Sequence, residues 1–316
     1  MPELPEVQTT VEGLKSKVLK RTFVDVWSDW KKIIKKPKDF EQFKKEIKNK
    51  KIKKIWRRAK NVIFDLSPSN FDVKEKKHRR KRESSKLVGD KSDGYSLLVH
   101  QKMTGHLLVG NWKLLNEKWE PTKEGPLKDP YNRFLHLVFF FDDGKMMALS
   151  DVRKFAKVEL QKTDDLLNSK EFKNLGPEPL DNNFTFAKFK EILKNKKGRI
   201  KQVLMNPETV AGIGNIYSSE ILWWAKIHPE KNVAKLNEKE LKLLYNSIKK
   251  VLSLAVRLGG ESFSDYRKPD GSKGGFDTER KVYRREGQKC SRCGAKIKRI
   301  KSGGRSAFFC PSCQKI

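Results

Sequence analysis

The chain has 316 residues, room for two domains and a small appendage, and its 71 Lys+Arg against 39 Asp+Glu give a formal net charge of +32. That excess is too large for an ordinary metabolic enzyme and predicts a polyanionic partner, nucleic acid first, although a lysine-rich genome would account for part of it. No apolar run approaches the ~20 residues of a membrane span and the start lacks the order of a signal peptide, so no membrane partner and a cytoplasmic location are expected.

The chain opens Met1-Pro2-Glu3-Leu4-Pro5-Glu6-Val7. Removal of Met1, expected where a small residue follows, leaves Pro2 with a free secondary amine. An α-amino group titrates near ~8 and lysine near ~10.4, so about a tenth of the former is unprotonated near pH ~7. Its adduct with a sugar C1′ would be a permanently cationic iminium, an electron sink that permits loss of a neighbouring phosphate. Glu3 beside it has the chemistry to protonate the sugar ring oxygen as a base leaves. The same residues also suit a plain helix start, with proline in the first turn and acids at the positive end of the dipole.

From Glu6 to Lys20, Val7, Val11, Leu14 and Val18 recur at helical spacing. Short β-rich runs follow at Phe23 to Trp27, Ile52 to Leu66, Tyr95 to Val109, Phe134 to Phe141 and Met146 to Leu160, with a turn at Asp142-Asp143-Gly144. They predict an antiparallel sandwich or barrel. Between them, 67–94 loses all periodicity and carries the basic run Lys74 to Arg82, as a solvated insertion would. Lys113 to Asp129 reads as a long polar connection. Leu175-Gly176-Pro177-Glu178-Pro179-Leu180 is a rigid joint. Beyond it the pattern is helical at Phe184 to Lys194, Ile200 to Met205, Asn215 to Ala225 and Asn237 to Leu258, the last with Asn237 and Glu240 placed as a capping box. Gly212-Ile213-Gly214 precedes the third helix, where glycines let backbone N–H groups approach a phosphate. Glu261 to Phe276 reads as a mobile loop. Cys290-x-x-Cys293, sixteen residues, then Cys310-x-x-Cys313 suits one tetrahedral Zn2+, with strands from Ala295 to Lys301 and Arg305 to Phe309 around Ser302-Gly303-Gly304.

In order along the chain these phrases resemble bacterial formamidopyrimidine-DNA glycosylase, the 8-oxoguanine DNA glycosylase/AP lyase family. The first seven residues match its N-terminus, and Arg57-Arg58-Ala59-Lys60 matches a phrase whose lysine is assigned proton donation in β-elimination. His100-Gln101-Lys102-Met103-Thr104-Gly105 is similar to its His-Leu-x-Met-Thr-Gly, and Asp151-Val152-Arg153-Lys154-Phe155 to its Asp-Pro-Arg-Arg-Phe. The resemblance implies that Pro2, Glu3, Lys60 and Arg305 are catalytic, and that Met103, Arg153 and Phe155 fill the gap left by an extruded nucleotide. It implies further DNA contacts at His100, His136, Lys196, Asn215 and Arg305. Two features depart from the pattern: the 67–94 insertion, and Phe134 where many members carry the first histidine of Lys-His-x-His.

The expected fold is therefore α+β and multidomain: an N-terminal antiparallel β-sandwich with flanking helices over 1–175 (insertion 67–94), a helix-two-turn-helix domain over 181–260, a lesion-capping loop and connector over 261–287, and a zinc-ribbon finger over 288–316. The expected function is excision of oxidised purines from duplex DNA through a Pro2 Schiff base, followed by β,δ-elimination at the abasic site, by a monomer working in the bacterial cytoplasm at the nucleoid. The alternatives are an endonuclease VIII-like glycosylase for oxidised pyrimidines, disfavoured by Leu4 and the Met103 phrase, and a non-catalytic zinc-ribbon nucleic-acid-binding protein, disfavoured by Pro2, Glu3 and Lys60. Each phosphate that the 74–82 run neutralises should steepen the log–log salt dependence of DNA binding by about 0.9. Deleting 67–94 is expected to weaken binding to damaged and undamaged duplex alike and to flatten that slope, while single-turnover excision at saturating enzyme is retained.

Overall fold

A computed structural model describes residues 1–67, 94–262 and 265–316. The basic run from Lys74 to Arg82 lies outside the described residues, as does all of the expected insertion but its two ends. The chain folds into two compact units. One comprises Met1–Pro2, Glu6–Lys173 and Ser262–Lys273, and the other Glu3–Pro5, Asn174–Glu261 and Gly274–Ile316.

In the first unit helix α1 (Leu4–Val18) turns Val7, Val11, Leu14 and Val18 into the core, each at most 1% exposed, as their spacing predicts. The strands are β1 (Phe23–Trp27), β2 (Ile34–Lys36), β3 (Ile52–Arg58), β4 (Asn61–Leu66), β5 (Tyr95–His100), β6 (His106–Gly110), β7 (Trp112–Leu115), β8 (Lys118–Pro121), β9 (Leu135–Phe141), β10 (Met146–Ser150) and β11 (Lys157–Lys162). One sheet has the order β1-β9-β10-β6 and the other β2-β11-β5-β4-β3. Their inner faces share one buried cluster, with Phe23, Leu107 and Phe139 from the first sheet meeting Phe64, Val99 and Val158 from the second. Burying such a side chain contributes roughly 1.5–3 kcal/mol. That cluster is the core of a sandwich.

Several expectations need correcting. The sandwich is not wholly antiparallel, because β2 joins β11 in parallel at the edge of the second sheet. Three of the β-rich runs are each divided into two strands. Ile52 to Leu66 breaks at Ala59–Lys60, where Ala59 adopts a left-handed φ of 53° and Arg58 pairs with Asn61. Tyr95 to Val109 breaks at the 101–105 turn, closed by the Gly105 amide donating to the Gln101 carbonyl at 3.0 Å. Met146 to Leu160 breaks over 151–156, with Lys154 left-handed at φ 57°. None of these left-handed positions is a glycine, so the usual turn signal is missing from the sequence. The connection from Lys113 to Asp129 is a β7–β8 hairpin, not a polar loop, and its Trp119 and Leu127 pack with Trp112 on the outer face of the first sheet, against Leu108 and Val138. The outer face of the second sheet is covered by Leu166 and Phe172, from the short helices α3 (Thr163–Asn168) and α4 (Lys170–Lys173), against Ile63 and Leu98. Helix α2 (Phe40–Ile47), capped by the Asp39 carboxylate accepting from the Gln42 amide at 2.7 Å, buries Phe40, Phe43 and Ile47.

The second unit contains helices α5 (Phe186–Lys194), α6 (Ile200–Met205), α7 (Asn215–Ala225) and α8 (Glu238–Arg257), then the hairpin β12 (Lys298–Ser302) and β13 (Arg305–Phe309). The capping box at the start of α8 is present, the Asn237 side chain accepting from the Glu240 amide at 2.9 Å and the Glu240 carboxylate accepting from the Asn237 amide at 3.1 Å. Its core brings Leu4 among Phe184, Phe189, Leu204, Ile221, Leu244 and Ile248.

Part of the stretch read as a mobile loop is packed into the first unit. Arg267 is 1% exposed, pairs through Nε with the Asp129 carboxylate at 3.0 Å, and lies 4.7 Å from the Tyr131 ring centroid. Burial alone would raise the Asp129 carboxyl, but the Arg267 hydrogen bond, the Tyr131 amide and the surrounding cations hold it below its ordinary 3.8. A depressed carboxyl stabilises the fold above its unfolded value and loses that contribution as pH falls through its folded one. Arg267→Met is expected to lower the unfolding free energy by about 3 kcal/mol at pH ~7. In urea denaturation its deficit relative to the parent protein should shrink as pH drops below 3.8.

Candidate functional site

Glu3 is 2% exposed and its carboxylate is docked at the start of α7. Oε2 accepts from the backbone N–H of Gly214 at 2.7 Å and of Tyr217 at 3.4 Å, and Oε1 accepts from that of Ile216 at 2.9 Å. The first turn of a helix has free donors and a positive partial charge, so an anion there is favoured. The glycines serve this docking. Gly212 has a left-handed φ of 86° and accepts from the Leu4 amide at 2.9 Å, and a Cβ on it would stand 2.7 Å from the Leu4 Cβ. Pro2 is buried immediately ahead of Glu3 in the chain.

Lys201, on α6, was not singled out by sequence because nothing in its own segment marks it apart from the chain's many other lysines. It is 1% exposed, and its Nζ donates to the Asn215 carbonyl at 3.1 Å and to the Ser218 and Ser219 hydroxyls at 2.7 and 2.8 Å. Burial brings its ammonium down to about 7, with Glu3 opposing and Arg305 adding to the effect. Asn215, Glu3, Lys201 and Arg305 thus share one electrostatic neighbourhood within this unit. Arg305 is exposed at the start of β13, opposite Ser302 across the hairpin tip. Lys196 follows the end of α5, its amide donating to the Leu193 carbonyl at 3.0 Å.

In the first unit, Lys60 sits half-buried in the β3–β4 turn, and the next residue, Asn61, pairs with His100 on β5. Burial pushes the His100 imidazole down to about 3, helped by the charges of Lys102, Lys60 and Lys157. Its Nδ1 accepts from the Lys102 amide at 3.0 Å, which leaves the proton of the neutral ring on Nε2. Met103 is 41% and Phe155 52% exposed, large apolar side chains held in water, and the Arg153 guanidinium lies 4.5 Å from the Phe155 ring centroid. His136 is only 8% exposed, and its Nδ1 is 2.9 Å from an Asp29 carboxylate oxygen, a neighbour that its sequence context did not suggest.

The sulfur atoms of Cys290, Cys293, Cys310 and Cys313 all lie within 4.8 Å of one another, with Cys293 3.4 Å from both Cys310 and Cys313. Tetrahedral zinc with Zn–S bonds of ~2.3 Å requires sulfurs about 3.8 Å apart, so the four cysteines fit one Zn2+. Helix α7 reaches this centre. The Trp223 indole Nε1 donates to Cys290 Sγ at 3.4 Å, and the Arg292 guanidinium stacks 3.9 Å from the Trp223 ring while donating to its carbonyl at 3.1 Å. One turn earlier, the buried Glu220 carboxylate accepts from the amides of Lys281, Val282 and Tyr283 at 2.8, 3.0 and 2.8 Å. Burial raises its carboxyl although those three N–H groups oppose it.

These parts, a sandwich, a helical domain whose glycine turn grips the chain's own third residue, and a four-cysteine ribbon, define a DNA-glycosylase architecture. Residues 1–158 match the formamidopyrimidine-DNA glycosylase N-terminal domain, 175–267 the formamidopyrimidine-DNA glycosylase H2TH domain, and 287–316 the zinc finger found in FPG and IleRS. The formamidopyrimidine-DNA glycosylase of Ligilactobacillus salivarius is 36% identical over 100% of this chain and 99% of its own, and that of Lactococcus lactis subsp. cremoris 35% identical over 100% of both. Among solved structures, Lactococcus lactis Fpg in complex with an abasic site containing DNA superposes with a TM-score of 0.79 at 34% identity, over 99% of this chain and 100% of that one. MutM with carbocyclic 8-oxo-G containing DNA gives 0.78 at 35% identity over 100% of both. The chain belongs to the formamidopyrimidine-DNA glycosylase family.

Among the described residues no helix is long and apolar enough to cross a membrane. The cysteine cluster and the sandwich core share no residues. Chelation of zinc, or Cys310→Ser, should therefore abolish duplex binding in a filter or anisotropy assay while the thermal unfolding signal of the sandwich persists.

Proposed function

We propose that this protein removes oxidised purines from duplex DNA and then nicks the resulting abasic site. The observation that carries this reading is the docking of Glu3: a fixed carboxylate next to Pro2, held by the helix whose first residue is Asn215. Support comes from the superposing structures, in which Lactococcus lactis Fpg is in complex with DNA containing an abasic site or an N7-benzyl-Fapy-dG and MutM with DNA containing a carbocyclic 8-oxo-G.

With Met1 removed, the Pro2 amine attacks C1′ of the damaged nucleotide. The base leaves with the glycosidic electron pair and takes up the proton that the Pro2 nitrogen sheds, the C1′–O4′ bond opens with a proton passing from Glu3 to O4′, and a cationic iminium remains between Pro2 and C1′. As the C2′ proton is taken by a base, the C2′–H electron pair flows into that sink and the resulting enamine expels the 3′-phosphate; loss of the C4′ proton in a second elimination expels the 5′-phosphate. Lys60 and Arg305 supply protons to the β and δ steps. Met103, Arg153 and Phe155 occupy the space of the extruded nucleotide, a role that suits two exposed apolar side chains and a cation facing the orphaned base. His100, kept neutral and carrying its proton on Nε2, together with His136, Lys196, Asn215 and Arg305, contacts the DNA backbone. The enzyme works in the bacterial cytoplasm at the nucleoid.

Borohydride reduction on an 8-oxoguanine duplex is expected to trap a covalent adduct that maps to Pro2 and is lost when Met1 is retained. An adduct on a lysine, or trapping only on an oxidised pyrimidine, would contradict this reading. Glu3→Gln should lose excision by a factor of about a hundred or more, the usual scale of general acid catalysis. It should lose far less cleavage at a ready-made abasic site, where the base has already gone.

A further inference from the structure

The turn that carries Arg153 and Phe155 is built on one buried carboxylate. Asp151, directly after β10, has no solvent exposure. Its Oδ2 accepts from the Ala156 amide at 2.7 Å and its Oδ1 from the Arg153 amide at 3.3 Å, while its own carbonyl accepts from the Lys154 amide at 3.1 Å. The third donor to that carboxylate comes from a different loop. The Thr104 hydroxyl donates to Oδ1 in a short hydrogen bond, and the Arg153 amide is also 3.1 Å from the Thr104 Oγ1.

Thr104 follows Met103. Its place is fixed from behind by Gly105, whose amide bonds the Gln101 carbonyl and whose absent Cβ would stand 2.5 Å from that same oxygen. Each loop thus presents exposed wedge side chains at its tip and a backbone locked at its base, and the Thr104–Asp151 bond joins the two bases. A hydrogen bond to a buried carboxyl oxygen that also accepts from backbone N–H groups is costly to leave unmade. Two loops ordered in advance also avoid the entropy of ordering each on contact with DNA.

We infer that Thr104 and Asp151 form a positioning clasp that joins the two loops, so that Met103 enters the DNA stack together with Arg153 and Phe155 as one preassembled wedge. This inference rests on the wedge reading above. Thr104 and Asp151 touch no DNA in this scheme and act through the three side chains they align.

The test is a mutant cycle on a duplex carrying 8-oxoguanine beside 2-aminopurine, whose fluorescence rises when the stack is opened, with single-turnover excision measured in parallel. Met103→Ala and Phe155→Ala should each slow excision, and their effects should be strongly non-additive in the parent protein and additive in Thr104→Val. Thr104→Val, which keeps shape and loses the hydroxyl, should slow the fluorescence rise and excision by about tenfold, the scale of one buried hydrogen bond. Cleavage of a preformed abasic site should suffer much less, and Thr104→Ser, which retains the hydroxyl, should restore excision. If Met103→Ala and Phe155→Ala leave excision unchanged, the wedge reading falls and the clasp with it. If they slow excision but their coupling survives in Thr104→Val, the clasp alone falls. A measurement on the unmutated protein guards against misfolding of the variants: the Arg153 and Ala156 amides should resist hydrogen exchange in the absence of DNA, and exchange at open-loop rates would overturn the inference.

Discussion

Three backbone N–H groups at the start of α7 converge on the carboxylate of the third residue of the chain, and the second unit is organised by that contact. A hydrogen bond to a charged group contributes roughly 1.5–3 kcal/mol, and the helix dipole adds up to about 1 kcal/mol for an anion at its positive end. These terms are large enough to hold a chain terminus that would otherwise fray. The requirement runs in both directions. Leu4 is packed so closely on Gly212 that a side chain there has no room, so the glycine turn and the first residues of the chain are fitted to each other. The residue whose amine is proposed to do the chemistry is peptide-bonded to the residue whose carboxylate is held by these three N–H groups.

Helix α7 carries more than this docking. Most of its residues are buried, and several of its polar groups meet other segments. Lys201 satisfies the Asn215 carbonyl and two serine hydroxyls at its start, Glu220 gathers three amides of the segment entering the ribbon, and Trp223 reaches a zinc-ligand sulfur. Just beyond its end, the Ile227 carbonyl accepts from the Gln314 side chain at 2.9 Å. A buried carboxylate and a buried lysine are expensive to desolvate, and each is retained here with a full set of partners. The ribbon is therefore held on the helix by directional bonds as well as by the apolar cluster of Trp223, Val282, Ile297 and Phe308.

In the first unit burial and a crowd of cations act together on the site. Burial first, and then the charges of Lys102, Lys60 and Lys157, keep the His100 ring neutral across the physiological range. The positive potential that attracts a polyanion thus comes from lysines and arginines, which remain charged, while the histidine supplies geometry. Asp151 is the counterpart: a buried carboxyl that accepts from three donors and shapes two loops.

The amino-acid sequence by itself determined the class of fold, the helix faces and the metal site, because these depend on local spacing. Val7, Val11, Leu14 and Val18 mark one face of α1, Asn237 and Glu240 cap α8, and two Cys-x-x-Cys pairs sixteen residues apart describe a ribbon. Strand breaks at Ala59, Lys102 and Lys154 were illegible, because ordinary residues there are forced into left-handed turns by the register of their neighbours. The covering layers were missed for a related reason: the Trp119 hairpin and the Leu166–Phe172 helices are polar on average, and only the sheets beneath them decide which few apolar residues turn inward. At the site, the sequence supplied Glu3 and the glycine turn as separate phrases, and tertiary structure alone brought them together across more than two hundred residues. Lys201, Glu220 and Asp151 acquire meaning only there, since a charged side chain in an apolar run or at a strand end has no reading until its partners, distant in sequence, are in contact with it.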